Sequence, residues 1–121
     1  MNRKKEITAV IVGAGKMGTN YIVCLRNLKI RIIGIVDISN QNIKYLIYKF
    51  KLNNKIFFRN IKKILDNKNP DLLIISTTAD KHYYYAEIGI KYKIKNILIE
   101  KPVCCSLNEC EKLLRLQKKY K

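Results

Sequence analysis

The sequence has few residues of the kinds that build metal centres, and it has no long uninterrupted apolar run. It has a single histidine, His82, and its four cysteines include no C-x-x-C pair, so a zinc site lacks both ligands and ligand spacing. No run approaches the roughly 18 consecutive apolar residues that a membrane span requires, and the first residues carry no signal-peptide cleavage pattern. We therefore expect a cytoplasmic protein with no metal and no membrane contact, whose thiols, including the adjacent Cys104 and Cys105, stay reduced.

Acidic residues are scarce, with 9 against 25 basic residues and a net charge of +16. Such a charge attracts phosphate backbones and raises the question of nucleic-acid binding. However, 20 of the 25 basic residues are Lys, and they are spread through every segment, together with abundant Ile and Asn, which indicates a bias in genome composition. The chain also has no basic helix and no aromatic-glycine repeat that would stack bases. We expect no nucleic-acid partner.

The remaining sequence alternates short β-branched apolar runs with segments of helical spacing. The predicted strands are residues 7–12, 30–36, 55–58, 72–75 and 96–99. Helices are expected between them, the first with an apolar face formed by Met17, Tyr21, Cys24, Leu25 and Leu28. Alternating strands and helices in 121 residues predict one α/β domain, a doubly wound parallel sheet of the Rossmann type. In such sheets ligands bind at the carboxyl ends of the strands.

A glycine-rich turn follows the first predicted strand. Residues 13–18, from Gly13 to Gly18, match G-x-G-x-x-G and open the first helix. Gly13 permits the tight turn, Gly15 lets a pyrophosphate approach the backbone, and Gly18 allows close packing of helix and strand. The N–H groups at the helix start, around Lys16 and Met17, would then hold the phosphates. The motif predicts dinucleotide binding.

An acidic residue, Asp37, ends the second predicted strand, 24 residues after Gly13. A carboxylate there accepts hydrogen bonds from the adenosine ribose hydroxyls and repels the 2′-phosphate of NADP, so NAD is favoured over NADP. Two alternatives stay open: Asp37 caps the following turn only, or the nearby Lys44 offsets the preference.

Two further motifs follow, Pro70–Thr78 with His82 after it and Glu100-Lys101-Pro102 at the end of a hydrophobic strand. With these motifs the chain resembles the Gfo/Idh/MocA family of oxidoreductases over essentially its whole length. The resemblance implies that Lys101 lies by the nicotinamide and the substrate, where it binds or polarises the reacting hydroxyl or assists proton transfer. Burial would favour the neutral form of Lys101 that suits this role.

The resemblance also implies roles for the neighbouring residues. Glu100 would orient the site, and Pro102 would fix the sharp turn, with a cis bond as one option. Ser76, Thr77 and Thr78 would line the nicotinamide-ribose side, although relatives usually have Pro at the position of Thr78. The predicted cofactor-binding residues are Gly13, Gly15, Lys16, Met17, Gly18, Asp37, Ser76, Thr77, Thr78, His82, Glu100 and Lys101, of which Lys101 alone is expected to be catalytic.

Relatives of this family continue into a second domain that forms the substrate wall, whereas this sequence ends one helix after Glu100-Lys101-Pro102. We therefore expect residues 1–121 to form a single dinucleotide-binding domain that binds NAD. Hydride transfer to a sugar, polyol or related substrate would need the second domain. The alternative is a stand-alone NAD-binding or sensing module that acts through a protein partner. The oligomeric state is left open.

Overall fold

The computed structural model describes residues 5–120, and within them five strands form one parallel sheet. The strand order is β3-β2-β1-β4-β5, and every neighbouring pair is parallel. The strands are β1 (Thr8–Val12), β2 (Arg31–Val36), β3 (Phe57–Phe58), β4 (Leu72–Ile75) and β5 (Asn96–Ile99). This arrangement confirms the doubly wound α/β fold.

Helices connect the strands and cover both faces of the sheet. They are α1 (Lys16–Asn27), α2 (Asn40–Phe50), α3 (Ile61–Leu65), α4 (His82–Lys91) and α5 (Leu107–Lys119). None of these helices in residues 5–120 has the length and hydropathy needed to cross a bilayer. The third strand is shorter than predicted, because residues 54–56 form a 3-10 turn in which the Asn53 side chain accepts from the Lys55 N–H.

The core has two layers because strand side chains alternate between the two faces of the sheet. Ala9 and Ile11 of β1 pack with Ile22 of α1 and Leu46 of α2. The other face of the sheet packs on α3, α4 and α5, with buried residues that include Val10, Val12, Leu73, Ile64, Ala86 and Leu113. The hydrophobic runs of β1, β2 and β4 therefore correspond to strands that are buried on both faces, whereas β5 keeps exposed residues.

The first helix is rotated relative to its predicted face. Its buried residues are Gly18, Ile22 and Leu25, whereas Met17 is 40% exposed and Leu28 is 69% exposed. The cause is the close approach at Gly18, where an added Cβ would meet the Gly13 carbonyl oxygen. Because of that contact, the helix face formed by residues 18, 22 and 25 packs on the sheet, and Met17 lies outside this face.

Three helices are followed by lysines in the left-handed backbone region. Lys29 after α1, Lys51 after α2 and Lys93 after α4 have φ values of 57°, 52° and 59°. A left-handed residue at this point ends a helix by turning the chain away, a position usually held by glycine. These turns return the chain to β2, β3 and β5.

Backbone hydrogen bonds connect the turns at the carboxyl ends of the strands. The Gly13 N–H donates to Val36 O at 2.8 Å, and the Ser76 N–H donates to Val12 O at 2.8 Å. The Glu100 N–H donates to Ile75 O at 3.0 Å. The connections from β1 and from β3 leave the sheet centre in opposite directions, so these turns surround the crevice where such sheets bind ligands.

Candidate cofactor-binding site

Two glycines of the motif are required by the fold. Gly13 has a φ of 100°, and a Cβ there would lie 2.7 Å from the Ser76 carbonyl atoms. A Cβ on Gly18 would collide with the Gly13 carbonyl oxygen. The turn and the helix-to-strand packing predicted from the sequence therefore explain these two positions.

Gly15 has a different explanation. It precedes α1 in an extended conformation, with φ −77° and ψ −158°, that any residue can adopt, and a Cβ there would meet nothing within 4 Å. Gly15 also offers no side-chain cap to α1, whereas Ser39 and Ser106 cap α2 and α5, a comparison confined to the described part of the chain. A helix start with open space before it and uncapped N–H groups fits a phosphate.

Asp37 is half-buried between the glycine turn and the start of α2. Its carboxylate accepts from the Ala14 N–H at 2.7 Å and from the Ser39 N–H at 2.7 Å. The Asn42 amide is a weaker third donor at 3.4 Å. Capping of the following turn, one of the alternatives, is thus present in the structure. Because a carboxylate can accept about four hydrogen bonds, capacity for further donors remains.

A cleft of about 380 Å³ lies beside Gly15, between the start of α1 and the second helix. From α2 it is lined by Asn42, Tyr45 and Lys49. Lys44, which the sequence suggested, does not line it. The three residues recur at steps of three and four on one helix face, and this spacing is the signal by which sequence analysis could have found Tyr45 and Lys49.

The turn after β4 supports the glycine turn. The Ser76 hydroxyl lies 3.1 Å from Val12 O and 3.0 Å from Gly13 O, so it donates to the backbone of the first turn. Thr77 is half-buried and Thr78 is exposed. Thr78 has a φ of −63°, the value to which a proline ring is locked, so the substitution of Thr for the usual Pro preserves the backbone.

The Glu100-Lys101-Pro102 segment follows β5 at the same edge. The Tyr21 hydroxyl of α1 donates to the Glu100 carboxylate; burial and this bond raise the pKa of Tyr21 to about 12. The Lys101–Pro102 peptide bond is cis. Lys101 is exposed, so residues 5–120 do not supply the burial that was expected to favour its neutral form. Sequence analysis assigned Tyr21 to the core, and no local pattern indicated its partner 79 residues away.

His82 lies inside the protein at the start of α4. It is 1% exposed, with Nδ1 2.6 Å from Pro102 O and Nε2 3.0 Å from Thr77 O. Both ring nitrogens are therefore engaged by the backbone. The cofactor contact predicted for His82 stays a prediction; in the structure the ring nitrogens face the protein backbone.

The cysteines depart from the expectation of reduced thiols. Cys104 and Cys110 form a disulfide with a Cα–Cα distance of 6.1 Å, while Cys24 and Cys105 are free and exposed. The helix that starts after Ser106 brings Cys110 back over Cys104, so the bond joins the turn to α5. The adjacent pair 104–105 is not bonded. In the part of the chain that the structure describes, no group of His, Cys, Asp and Glu side chains could hold a metal ion.

Comparison with known proteins agrees with the fold described above. The WlbA dehydrogenase from Chromobacterium violaceum, in complex with NADH and UDP-GlcNAcA, superposes with a TM-score of 0.84 and 16% identity over 97% of this chain and 33% of its own. The myo-inositol 2-dehydrogenase from Lactobacillus plantarum gives 0.83 and 19% over 96% and 34%. An oxidoreductase from Agrobacterium radiobacter, in complex with NAD+, L-tartaric acid and magnesium, gives 0.84 and 19% over 96% and 33%.

The chain therefore spans about a third of the length of these structures. A search of curated proteins finds no match. The family model GFO_IDH_MocA, described as "Oxidoreductase family, NAD-binding Rossmann fold", matches residues 7–121. NAD, the cofactor predicted from the sequence, is the cofactor in that description. With the sheet order, the glycine turn and the Glu100-Lys101-Pro102 segment, this match shows that the chain belongs to the Gfo/Idh/MocA oxidoreductase family.

Proposed function

We propose that these residues bind NAD(H) as the cofactor half of a dehydrogenase that acts on a hydroxyl group of a sugar, a polyol or a related compound. The observation that carries the proposal is Gly15, which the fold does not require and which leaves open space before the uncapped start of α1. A ligand that must approach the backbone explains a glycine there, and a dinucleotide pyrophosphate is such a ligand.

The adenosine half of the cofactor would lie between the glycine turn and α2. The N–H groups of Lys16, Met17 and Gly18 would hold the phosphates with the help of the helix dipole. Asp37, already oriented by two backbone N–H groups, would accept from the ribose hydroxyls and oppose a 2′-phosphate. This arrangement supports NAD over NADP.

The nicotinamide half would lie by the turns after β4 and β5. When bound, the dinucleotide supplies the acceptor or donor of the hydride. Thr77 and Thr78 would orient its ribose, and the Lys101 ammonium would bind the substrate oxygen and exchange a proton at Nζ. Glu100, held by Tyr21, would keep this turn in place. The substrate class is supported by the relatives crystallised with a UDP-sugar or named for myo-inositol.

Turnover would need residues beyond this domain. The chain spans about a third of the length of its structural relatives, and Lys101 is exposed. We propose that a second domain supplies the substrate wall, and that residues 1–121 alone bind NADH without turning over substrate. A cytoplasmic location is part of the proposal. The free thiols of Cys24 and Cys105 support it, and the Cys104–Cys110 bond weighs against it.

One observation fits both this proposal and the alternative of a stand-alone module with a protein partner. An apolar groove of about 1140 Å³ runs along β5 and α5, and its lining includes Leu98, Val103 and Leu114, which are 40%, 49% and 58% exposed. Exposed apolar surface of this kind marks an interface. Either a second domain or a separate protein would cover it, and the two candidates share the NAD site.

Calorimetric titration of the chain with NADH and NADPH at two salt concentrations tests the NAD site. We expect saturable NADH binding that largely survives added salt, and weaker NADPH binding. Binding that collapses with salt, equally for both nucleotides, would reflect only the net charge of +16. A folded chain that binds neither nucleotide would refute the proposal.

A further inference from the structure

His82 is the one polar or charged side chain among the fully buried residues of the described chain. A polar ring inside a protein is costly unless its hydrogen-bonding groups are paired. Both ring nitrogens meet this condition, through contacts of 2.6 Å and 3.0 Å. The two hydrogen-bonding partners therefore explain how this polar ring is accommodated inside the protein.

Both partners are backbone carbonyl oxygens, Pro102 O at Nδ1 and Thr77 O at Nε2, and a carbonyl oxygen can only accept. A neutral imidazole carries one N–H and one bare nitrogen, so one of the two carbonyls would face a nitrogen lone pair. In either tautomer the ring donates to one of the two carbonyls and packs against the other.

The two carbonyls belong to different turns of the proposed site. Thr77 follows β4, and Pro102 follows β5 directly after the proposed catalytic Lys101. The ring therefore spans the two turns that would hold the nicotinamide half. These turns are also connected by the backbone bond from Glu100 N–H to Ile75 O, but that bond lies one residue before Lys101 and two residues before Thr77.

We propose that His82 is a positioning residue, whose ring holds the turn after β4 and the Glu100-Lys101-Pro102 turn at a fixed separation for the nicotinamide half of the cofactor. The bridge between the two turns follows from the two carbonyl contacts of the ring. The positioning role rests on the proposed function, and the experiment below separates the two.

The contact of the ring with the backbone can be measured directly because His82 is the only histidine in the chain. In a ¹⁵N-labelled sample without a histidine tag, the imidazole signals belong to this ring without assignment. We expect a ring N–H proton that exchanges slowly with water, because the ring is 1% exposed and its nitrogens face backbone carbonyls. A ring N–H that exchanges as fast as that of free histidine would overturn the bridge between the two turns. This measurement needs no nucleotide.

The positioning role is tested by comparing NADH with ADP, which lacks the nicotinamide half. His82→Phe keeps a planar ring and removes both ring nitrogens, and His82→Asn keeps one donor near the Nδ1 position. We expect NADH affinity to fall about tenfold or more in His82→Phe and by less in His82→Asn, the size expected for one or two lost hydrogen bonds. ADP affinity should change less than about twofold, because the phosphate turn does not contact the ring.

Tyr83→Phe is the matched control, since it removes a hydroxyl on the same helix that bonds only Glu87, at 2.7 Å. It should bind NADH like the wild-type chain. Equal losses for NADH and ADP, unchanged NADH affinity in His82→Phe, or equal NADH and ADP affinities in the wild-type chain would each overturn the positioning role. A wild-type chain that binds neither nucleotide would refute the proposed function, while the exchange rate of the ring N–H would still test the bridge between the two turns.

Discussion

Replacing Gly15 should weaken NADH binding and leave the stability of the fold nearly unchanged. A Cβ at this position meets no protein atom within 4 Å, and the backbone is extended, so Gly15→Val introduces no clash and no strain. We expect the free energy of unfolding to change by less than about 1 kcal/mol, from the altered helix cap and the stiffer unfolded chain. The valine side chain fills the space before α1 and blocks the phosphates. The loss of one or two charge-assisted hydrogen bonds, at about 1.5–3 kcal/mol each, predicts NADH binding weaker by at least about 100-fold, or about 2.7 kcal/mol.

The assay combines chemical denaturation with calorimetric titration by NADH. Gly18→Val is the contrasting variant, because a Cβ there collides with the Gly13 carbonyl oxygen and should destabilise the fold itself. Gly15→Ser is a second test: its hydroxyl caps the helix, as Ser39 caps α2, so stability should rise while NADH binding falls. A Gly15→Val chain that binds NADH normally would show that the open space is not the phosphate site.

Three further predictions concern the surrounding contacts. Asp37→Ala should reduce the preference for NADH over NADPH, measured by titration with both, and an unchanged ratio would argue against its ribose role. Tyr21→Phe should remove a contribution to the free energy of unfolding that is complete below pH 10 and disappears as the pH rises through the raised Tyr21 pKa of about 12. Denaturation of the wild-type and variant chains between pH 8 and pH 12 measures this contribution. A stability difference that does not change with pH would contradict it. Reduction of the Cys104–Cys110 bond, which spans 6 residues, should lower stability by about 2 kcal/mol, whereas Cys24→Ser should have little effect; equal stability with and without reductant would show that the bond does not form in solution.

Local patterns were sufficient to predict the fold and the position of the glycine turn. Each strand is a short apolar run that ends at a residue with a specific local role, as β1 ends before Gly13 and β2 before Asp37. A strand that is buried on both faces has a nearly continuous run of apolar residues, and such a run is easily recognised in the sequence. The shortened β3 and the rotated face of α1 were missed, because an Asn53 turn and one close backbone contact overrode the pattern.

The contacts that define the site were beyond local patterns. The bond from Tyr21 to Glu100 and the two carbonyl partners of His82 join segments that meet only after the sheet has formed. The Cys104–Cys110 bond depends on where α5 begins, and that is decided by the cap at Ser106. Residue types indicated the chemistry of these positions, but their partners depend on tertiary structure.

The lysines in the left-handed region after α1, α2 and α4 show that the lysine-rich composition also affects backbone conformation at the helix ends. At Lys29, Lys51 and Lys93 a non-glycine residue costs about 1–2 kcal/mol relative to the right-handed region. A cation at the negative end of a helix dipole stabilises the fold by about 0.3–1 kcal/mol, and salt screens part of this stabilisation. Each of these turns is therefore held with a small net cost that grows with ionic strength, so the stability of the whole domain should depend on salt through its helix ends as well as through its bound phosphates.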